Sequence, residues 1–207
     1  MDPSLYLTAF VTLFVVIDPV GLAPVFIALT PGMSAAQRRR IGFRSLVIAA
    51  VLMMIFGFAG ESILTAIGIS IPAFRIAGGL LLFLTALDML FERRTERREN
   101  QGEGDPLHHD PSVFPLAMPL LAGPGALATM ILLMGEAPGI LHMAMVNLVM
   151  LAVLAIAMAL FVIATPLAHA LGRTGVMVVT RLLGMLLAAL SVQFVIDGLK
   201  GSGLVPS

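Results

Sequence analysis

Residues 18–24 read Asp18-Pro19-Val20-Gly21-Leu22-Ala23-Pro24 and lie in the middle of the first long hydrophobic run of the sequence. Proline removes a backbone hydrogen-bond donor and clashes with the preceding helical turn, so the sequence predicts that this helix breaks near Asp18. In lipid, the backbone groups that such a break sets free need polar partners. We therefore predict that this stretch lines a binding site.

A second stretch of the same kind lies in a later hydrophobic run and reads Ala122-Gly123-Pro124-Gly125-Ala126-Leu127-Ala128. Gly21 aligns with Gly125 at a shift of 104 positions (125 − 21). Arg75 and Arg181, each near the start of a hydrophobic run, align independently at a shift of 106 positions (181 − 75). The pattern predicts a diverged tandem duplication, with chance alignment of small residues and leucines as the alternative.

The composition indicates a polytopic membrane protein. Of the 207 residues, 59% are hydrophobic and only 12% are charged, which is too apolar for a soluble domain. A net charge of zero argues against a nucleic-acid partner, and the absence of cysteine excludes disulfides and thiolate metal sites. Asp2 stands where a signal peptide would have basic residues, so we expect no cleaved signal peptide.

Six apolar runs predict an all-α protein with transmembrane helices at about residues 4–29, 42–67, 70–91, 112–134, 140–168 and 175–199. Basic residues follow the first, third and fifth runs; they are Arg38, Arg39, Arg40, Arg44, Arg93, Arg94, Arg97, Arg98 and Arg173. Lys200 alone falls on the other side. The positive-inside rule therefore predicts that these three loops are cytoplasmic and that both termini are outside, in the periplasm.

The duplication and the span count together predict a single transmembrane domain built from two repeats. Repeat one covers about residues 4–91, a cytoplasmic linker covers 92–111, and repeat two covers about 112–199. Because each repeat has three spans, the second enters the membrane the opposite way up, which is the inverted-repeat plan of many secondary transporters. The first and fourth helices are the two that we predict to be broken.

The predicted linker contains a potential group of metal ligands, His108, His109 and Asp110. A defined metal site needs a fourth ligand or an open position held rigidly, and this stretch is a mixed-charge segment poor in apolar residues. We therefore predict no metal site and no cofactor.

Four further charged residues within the spans are candidates for ion pairs, because an ionisable group at membrane depth is costly unless it is paired or hydrated. Glu61 and Arg75 flank the short second connection, and we hypothesise that they form a salt bridge or a gating pair near the outer surface. Asp88 and Arg181 both lie near the inner ends of their spans and form a second candidate pair, provided that the third and sixth helices are adjacent.

Asp18 has two compatible interpretations. It is a helix cap for a half-helix that begins at Pro19, or it is a ligand for a substrate ammonium group, a proton or Na⁺. The amides that follow Gly125 would complement it by binding an anion such as a carboxylate. The predicted substrate-binding residues are Asp18, Pro19, Gly21, Pro24, Gly123, Pro124, Gly125 and Thr129.

Other polar residues within the spans are Thr12, Thr30, Asn147 and Gln193. Each of them, like Thr129, is expected to form an interhelical hydrogen bond, with a position facing the site as the alternative. The glycines and alanines at both breaks allow close backbone approach, which favours a small neutral zwitterion over a bulky drug.

The sequence resembles the MarC family of bacterial inner-membrane proteins over nearly its whole length. The stretches that carry the resemblance are Val16-Ile17-Asp18-Pro19-Val20-Gly21-Leu22-Ala23-Pro24-Val25-Phe26, Ile71-Pro72-Ala73-Phe74-Arg75-Ile76-Ala77-Gly78-Gly79-Leu80-Leu81-Leu82-Phe83, and Pro115-Leu116-Ala117-Met118-Pro119-Leu120-Leu121-Ala122-Gly123-Pro124-Gly125. That family is similar to a set described as neutral amino-acid transporters (NAAT). The resemblance implies ion-coupled transport, with Na⁺ or H⁺, of small neutral amino acids such as glycine or alanine, and no enzymatic activity.

Three other classes of protein are weighed against this one. An aquaporin-like channel carries Asn-Pro-Ala breaks after the second span of each repeat, whereas the breaks here fall within the first span. An intramembrane protease needs Gly-x-Ser-Gly or Gly-x-Gly-Asp, which are absent around Ser62 and Asp88. A non-transporting membrane partner stays open, as do the direction of transport and assembly into a homo-oligomer.

Overall fold

The computed structural model describes residues 3–91 and 111–205, and the secondary structure in these ranges is helical. The helices are α1 (Pro3–Ile17), α2 (Pro19–Ala28), α3 (Ala35–Ala66), α4 (Ile71–Leu90), α5 (Ser112–Leu121), α6 (Pro124–Met134), α7 (Ile140–Val162) and α8 (Ala164–Gly201). His108, His109 and Asp110, the rejected metal ligands, lie outside the described residues.

The helices confirm an all-helical membrane protein. Five spans, of which the first is Ser4–Ala28, are long and apolar enough to cross a membrane, and α5 with α6, bent by 57° at their junction, brings the number to six. A helix of about 20 residues matches the hydrocarbon core of a bilayer. The number of spans therefore agrees with the sequence prediction when the bent pair counts as one.

Three predicted boundaries are wrong. Helix α3 begins at Ala35 and not at residue 42, because Ser34 and Gln37 form a reciprocal capping box that starts the helix seven residues earlier. The fifth span ends at Val162, and α8 begins at Ala164 directly after a one-residue turn. The predicted loop around Arg173 is instead helical, with a break at Gly172, whose φ of 61° suits glycine.

Helix α5 is irregular because of its prolines. Phe114 and Met118, which precede Pro115 and Pro119, have extended backbone dihedral angles, as residues before proline prefer. The hydrogen bond from the amide of Ala122 to the carbonyl of Ala117 spans five residues and is of the π type. The segment therefore enters α6 at an angle.

Helices α4 and α8 pack closely through glycines. A Cβ atom at Gly79 would lie 2.8 Å from the carbonyl oxygen of Ser191, and one at Gly198 would lie 2.9 Å from that of Pro72. Small residues of this kind let two helix backbones approach each other in lipid. The third span of the first half therefore lies against the sixth.

Contacts between distant residues show which helix ends lie together. Tyr6, near the start of α1, contacts His142, near the start of α7. Arg75, near the start of α4, pairs with Glu136 in the connection between α6 and α7. We call this the terminal end, because α1 begins and α8 finishes there. The opposite end carries residues 38–40 and is called the arginine end.

Candidate functional site

Asp18 interrupts the helical geometry between α1 and α2. Its φ of 53° and ψ of 63° are left-handed, a conformation that aspartate tolerates better than most residues. The side chain is completely buried, and its Oδ1 accepts a hydrogen bond of 3.1 Å from the amide of Gly21. The predicted capping role of Asp18 is therefore confirmed, with Pro19 at the first position of α2.

Gly21 leaves the space that the Asp18 carboxylate occupies. A Cβ atom at position 21 would collide with the Oδ2 of Asp18. Pro24, inside α2, removes the amide that would otherwise pair with the carbonyl of Val20. The cap thus depends on glycine at position 21. The helix that follows it is short and lacks the internal hydrogen bond that an amide at position 24 would form.

The second predicted stretch opens α6. Gly123 has extended backbone angles and offers no side-chain cap, and Pro124 occupies the first helical position. The amides of Gly125 and Ala126 lie in the first turn, where a helix has no carbonyl to pair with them. This is the geometry that attracts a negatively charged group.

The structure places the end of α1 against the start of α6. A Cβ atom at Gly125 would lie 3.4 Å from a methyl carbon of Val16 and 3.2 Å from one of Leu82. Val16 lies two residues before Asp18, so the second predicted stretch packs next to the residues that precede the first.

The hydroxyl groups of Thr129 and Thr30 donate hydrogen bonds within their own helices. Thr129 donates to the carbonyl of Gly125 at 2.8 Å, and Thr30 donates to that of Phe26 at 2.8 Å. In each case the hydroxyl bonds to the carbonyl one helical turn earlier, which is a common arrangement for threonine within helices. The expectation of interhelical hydrogen bonds was wrong for these two residues.

The remaining polar residues differ in their bonding. Asn147 donates to the carbonyl of Met143 in its own helix at 2.8 Å and to the sulfur of Met134 on α6 at 3.7 Å, so the expected interhelical hydrogen bond is confirmed for this residue. Gln193 donates to the carboxylate of Asp197 within its own helix at 2.8 Å. The hydroxyl of Thr12 is buried and has no hydrogen-bond partner among the described residues.

Arg75 has a different partner from the one predicted. Its Nη2 lies 2.8 Å from the Oε1 of Glu136, whereas Glu61 is exposed at the end of α3. The sequence favours Glu61 as the partner because it is close to Arg75 along the chain. The fold instead brings the connection after α6 to the start of α4, and the ion pair therefore joins the two halves of the chain.

The Arg75–Glu136 pair gives a first testable prediction. Reversing one charge, as in Arg75→Glu or Glu136→Arg, should lower thermal stability, and the double reversal should recover most of the loss. Because both side chains are partly exposed, the coupling free energy should be about 1 kcal/mol or less. A double-mutant cycle by thermal unfolding in detergent measures it. The control is Glu61→Arg, and recovery when it is combined with Arg75→Glu would contradict our assignment.

Asp88 and Arg181 lie on α4 and α8, which pack along one another. Gly184 on α8 approaches Met89 on α4 near the arginine end. The adjacency that the hypothesis needed is therefore present, and the pairing itself stays a prediction.

A set of contacts that the sequence did not reveal closes the arginine end. The rings of Phe26 and Phe161 stack with centroids 4.4 Å apart. Arg38 donates from Nε to the carbonyl of Thr30 at 3.2 Å and from Nη1 to the hydroxyl of Thr165 at 3.3 Å. In the sequence, Arg38 served only as a marker of orientation, because its partner at position 165 is remote along the chain.

A cavity of about 350 Å³ lies beside these contacts. Its walls combine the apolar ends of α2 and α7 with two arginines of α3; they include Phe26, Met158, Phe161, Arg38 and Arg39. The cavity therefore offers an apolar recess with positive charge at its mouth.

Comparisons with known proteins agree on one family. A family model described as MarC family integral membrane protein matches residues 3–202. The chain is 38% identical over 201 residues to a UPF0056 membrane protein of Archaeoglobus fulgidus, covering 95% of this chain and 92% of that protein. It is 36% identical to the UPF0056 membrane protein YhcE of Escherichia coli, covering 97% and 94%. It is 33% identical to YvbG of Bacillus subtilis, covering 96% and 95%. No solved structure matches the chain.

Proposed function

The chain belongs to the MarC family of integral membrane proteins, and from that premise we propose that it is a secondary transporter of small neutral amino acids, such as glycine or alanine, acting as an exporter or exchanger. The observation that carries the proposal is Asp18, a fully buried carboxylate at the junction of α1 and α2, two residues after Val16, which packs against the start of α6. An ionisable group buried within a membrane-spanning segment is by default part of a functional site.

The chemistry of the two stretches suits a zwitterion. The carboxylate of Asp18 would bind the substrate ammonium group, and the first-turn amides of α6 would bind its carboxylate. Gly21 and Gly125 let neighbouring atoms approach their backbones closely, since a Cβ atom at either position would meet those atoms. This close packing at both stretches supports glycine or alanine over larger substrates.

The inverted repeat is part of the same proposal, and the helix positions support it. Pro19 and Pro124 open α2 and α6, and Ala35 and Ile140 open α3 and α7, in both cases 105 positions apart (124 − 19 and 140 − 35). The contacts between helices also follow the proposed repeat, in which α1, α2, α3 and α4 correspond to α5, α6, α7 and α8. Helix α1 packs against α7, and in the same way α3 packs against α5 and α6. Helix α4 packs against its own counterpart, α8. A twofold axis that exchanges the halves would produce this pattern.

Alternating access would use contacts that join the halves at both ends of the bundle. Arg38 with Thr165 and the stacked pair Phe26 and Phe161 lie at the arginine end. Arg75 with Glu136 lies at the terminal end. Breaking one set while keeping the other would expose Asp18 to one side of the membrane at a time, which is the movement of one repeat against the other.

The proposal extends to location and coupling. We place the protein in the bacterial inner membrane, with both termini periplasmic and the arginine end cytoplasmic, as the distribution of arginines favours. Na⁺ or H⁺ is the coupling ion, the substrate and the surrounding lipid are the partners, and homo-oligomerisation is compatible with this arrangement. No enzymatic step is part of it.

The experiment that tests the proposal is counterflow of labelled glycine and alanine in proteoliposomes, with and without gradients of pH and Na⁺. We expect saturable counterflow that depends on unlabelled substrate inside the vesicles. Flux that does not saturate would favour a channel. The absence of any flux with folded, reconstituted protein would favour a non-transporting partner and would overturn the proposal.

A further inference from the structure

A buried histidine near the terminal end has both ring nitrogens occupied. His142 is 5% exposed, and its Nε2 lies 2.8 Å from the carbonyl oxygen of Leu133. Its Nδ1 lies 3.3 Å from the hydroxyl oxygen of Tyr6. Tyr6 belongs to the first half of the chain and His142 to the second, so this pair also joins the halves.

The partners determine the state of the ring. A carbonyl oxygen only accepts hydrogen bonds, so Nε2 of His142 carries the hydrogen that bonds to Leu133. In the neutral ring, Nδ1 then accepts a hydrogen bond from the Tyr6 hydroxyl. A proton arriving at Nδ1 would reverse that bond, because the protonated nitrogen is a donor and the tyrosine oxygen must accept from it.

Protonation would also place a positive charge in a buried position. Such a charge is costly until water or a carboxylate reaches it. The elements packed around α7 bring several ionisable side chains to the terminal end: Tyr6 on α1, Glu61 on α3, Glu136 after α6, and Asp197 and Lys200 on α8. Glu136 is already paired with Arg75, and His142 bonds only to Tyr6 and Leu133 among the described residues.

Two unpartnered polar atoms lie deeper on the same two helices. The hydroxyl oxygen of Thr12 and the Oδ1 of Asn147 are buried and have no hydrogen-bond partner among the described residues. Both helices start at the terminal end and rise about 1.5 Å per residue, so the two atoms lie at a similar depth, roughly 8 to 9 Å below Tyr6 and His142. Asp18 lies roughly 9 Å further along α1. Polar groups therefore occur at intervals between His142 and Asp18.

From this geometry we propose that His142 is a proton-binding site of the transporter, at which a proton from the terminal side loosens the contact between α1 and α7. The inference rests on the proposed transport function, since it identifies the coupling ion as H⁺. The imidazole gains one proton at Nδ1, and this nitrogen changes from acceptor to donor in its hydrogen bond with the Tyr6 hydroxyl. Return of the proton to either side restores the neutral pair.

The chain provides its own probe, because Tyr6 is its single tyrosine and it contains no tryptophan. We would record tyrosine fluorescence of the purified protein in detergent, subtracting the signal of Tyr6→Phe. Wild-type emission should change in one transition as the pH is lowered from about 8 to about 5, because protonation of the ring reverses its hydrogen bond with the Tyr6 hydroxyl. The transition should disappear in His142→Gln and persist in His169→Gln, which removes an exposed histidine of α8.

The outcomes separate this inference from the proposed function. Flat wild-type emission, or a transition that persists in His142→Gln, overturns the proton site even if transport is found. A transition lost in His142→Gln, without flux of any amino acid, supports the proton site and removes the proposed substrate. If transport is present, pH-driven accumulation should be lost in His142→Gln and kept in His169→Gln; accumulation in both variants overturns the inference.

Discussion

Replacing Asp18 with asparagine should lower counterflow of glycine and alanine by at least about tenfold while leaving the protein folded. A hydrogen bond to a charged group contributes about 1.5–3 kcal/mol, and about 1.4 kcal/mol corresponds to a factor of ten. The fold should survive because an asparagine oxygen can still accept the amide of Gly21, and asparagine tolerates the left-handed backbone. Counterflow in proteoliposomes and thermal unfolding in detergent measure the two effects.

Two further variants separate the capping role of Asp18 from its role as a ligand. Asp18→Ala removes the cap as well and should lose about 1 kcal/mol of stability in addition to transport. Asp197→Asn, which neutralises a carboxylate on α8, is the matched control and should transport normally. Normal exchange together with normal ion-driven accumulation in Asp18→Asn would restrict Asp18 to the cap. Normal exchange with loss of ion-driven accumulation would mean that the carboxylate binds the coupling ion and not the substrate.

Replacing Gly79 with alanine should lower the free energy of unfolding by about 1–3 kcal/mol, the usual cost of overpacking. The added methyl group would lie 2.8 Å from the backbone oxygen of Ser191 and 2.8 Å from a side-chain carbon of Val195. Because Ser191 contributes backbone at this contact, α4 and α8 must move apart to admit the methyl group. Titration with sodium dodecyl sulfate, followed by circular dichroism, measures the change.

The adjacent glycine provides the matched control. A methyl group at Gly78 would lie 3.1 Å from the end of the Leu132 side chain, so a side chain and not a backbone has to shift, by a few tenths of an ångström. Gly78→Ala should therefore cost less stability than Gly79→Ala. Equal losses in the two variants would contradict a specific backbone contact between α4 and α8. Equal stability of Gly79→Ala and the wild type would contradict the close packing itself.

Features that depend on neighbouring residues were predicted from the sequence. The length and hydropathy of each run determine whether it can cross a bilayer, so the all-helical membrane class and the number of spans followed from composition. The cap at Asp18 also followed, because a carboxylate followed by Pro19 reaches an amide three residues later. The start of α3 was missed, although the Ser34 and Gln37 pattern of a capping box was present in the sequence.

Features that depend on which helices touch were decided by the tertiary structure. Arg75 pairs with Glu136 and not with Glu61, and Tyr6 meets His142 across more than half of the chain. In a soluble protein, the apolar face of a helix indicates what it packs against. In lipid, the faces toward neighbouring helices and toward the bilayer are equally apolar, so hydropathy does not distinguish them.

By itself, then, the sequence determined the membrane class, the number of spans and the helix cap at Asp18, since each of these depends on residues close to one another along the chain. The tertiary structure alone decided that Val16 packs against Gly125, that Gly79 admits the backbone of α8, and that a histidine of one half bonds to the tyrosine of the other. These contacts depend on shape, because backbone approach and side-chain fit select the neighbours of a helix where hydrophobicity is uniform.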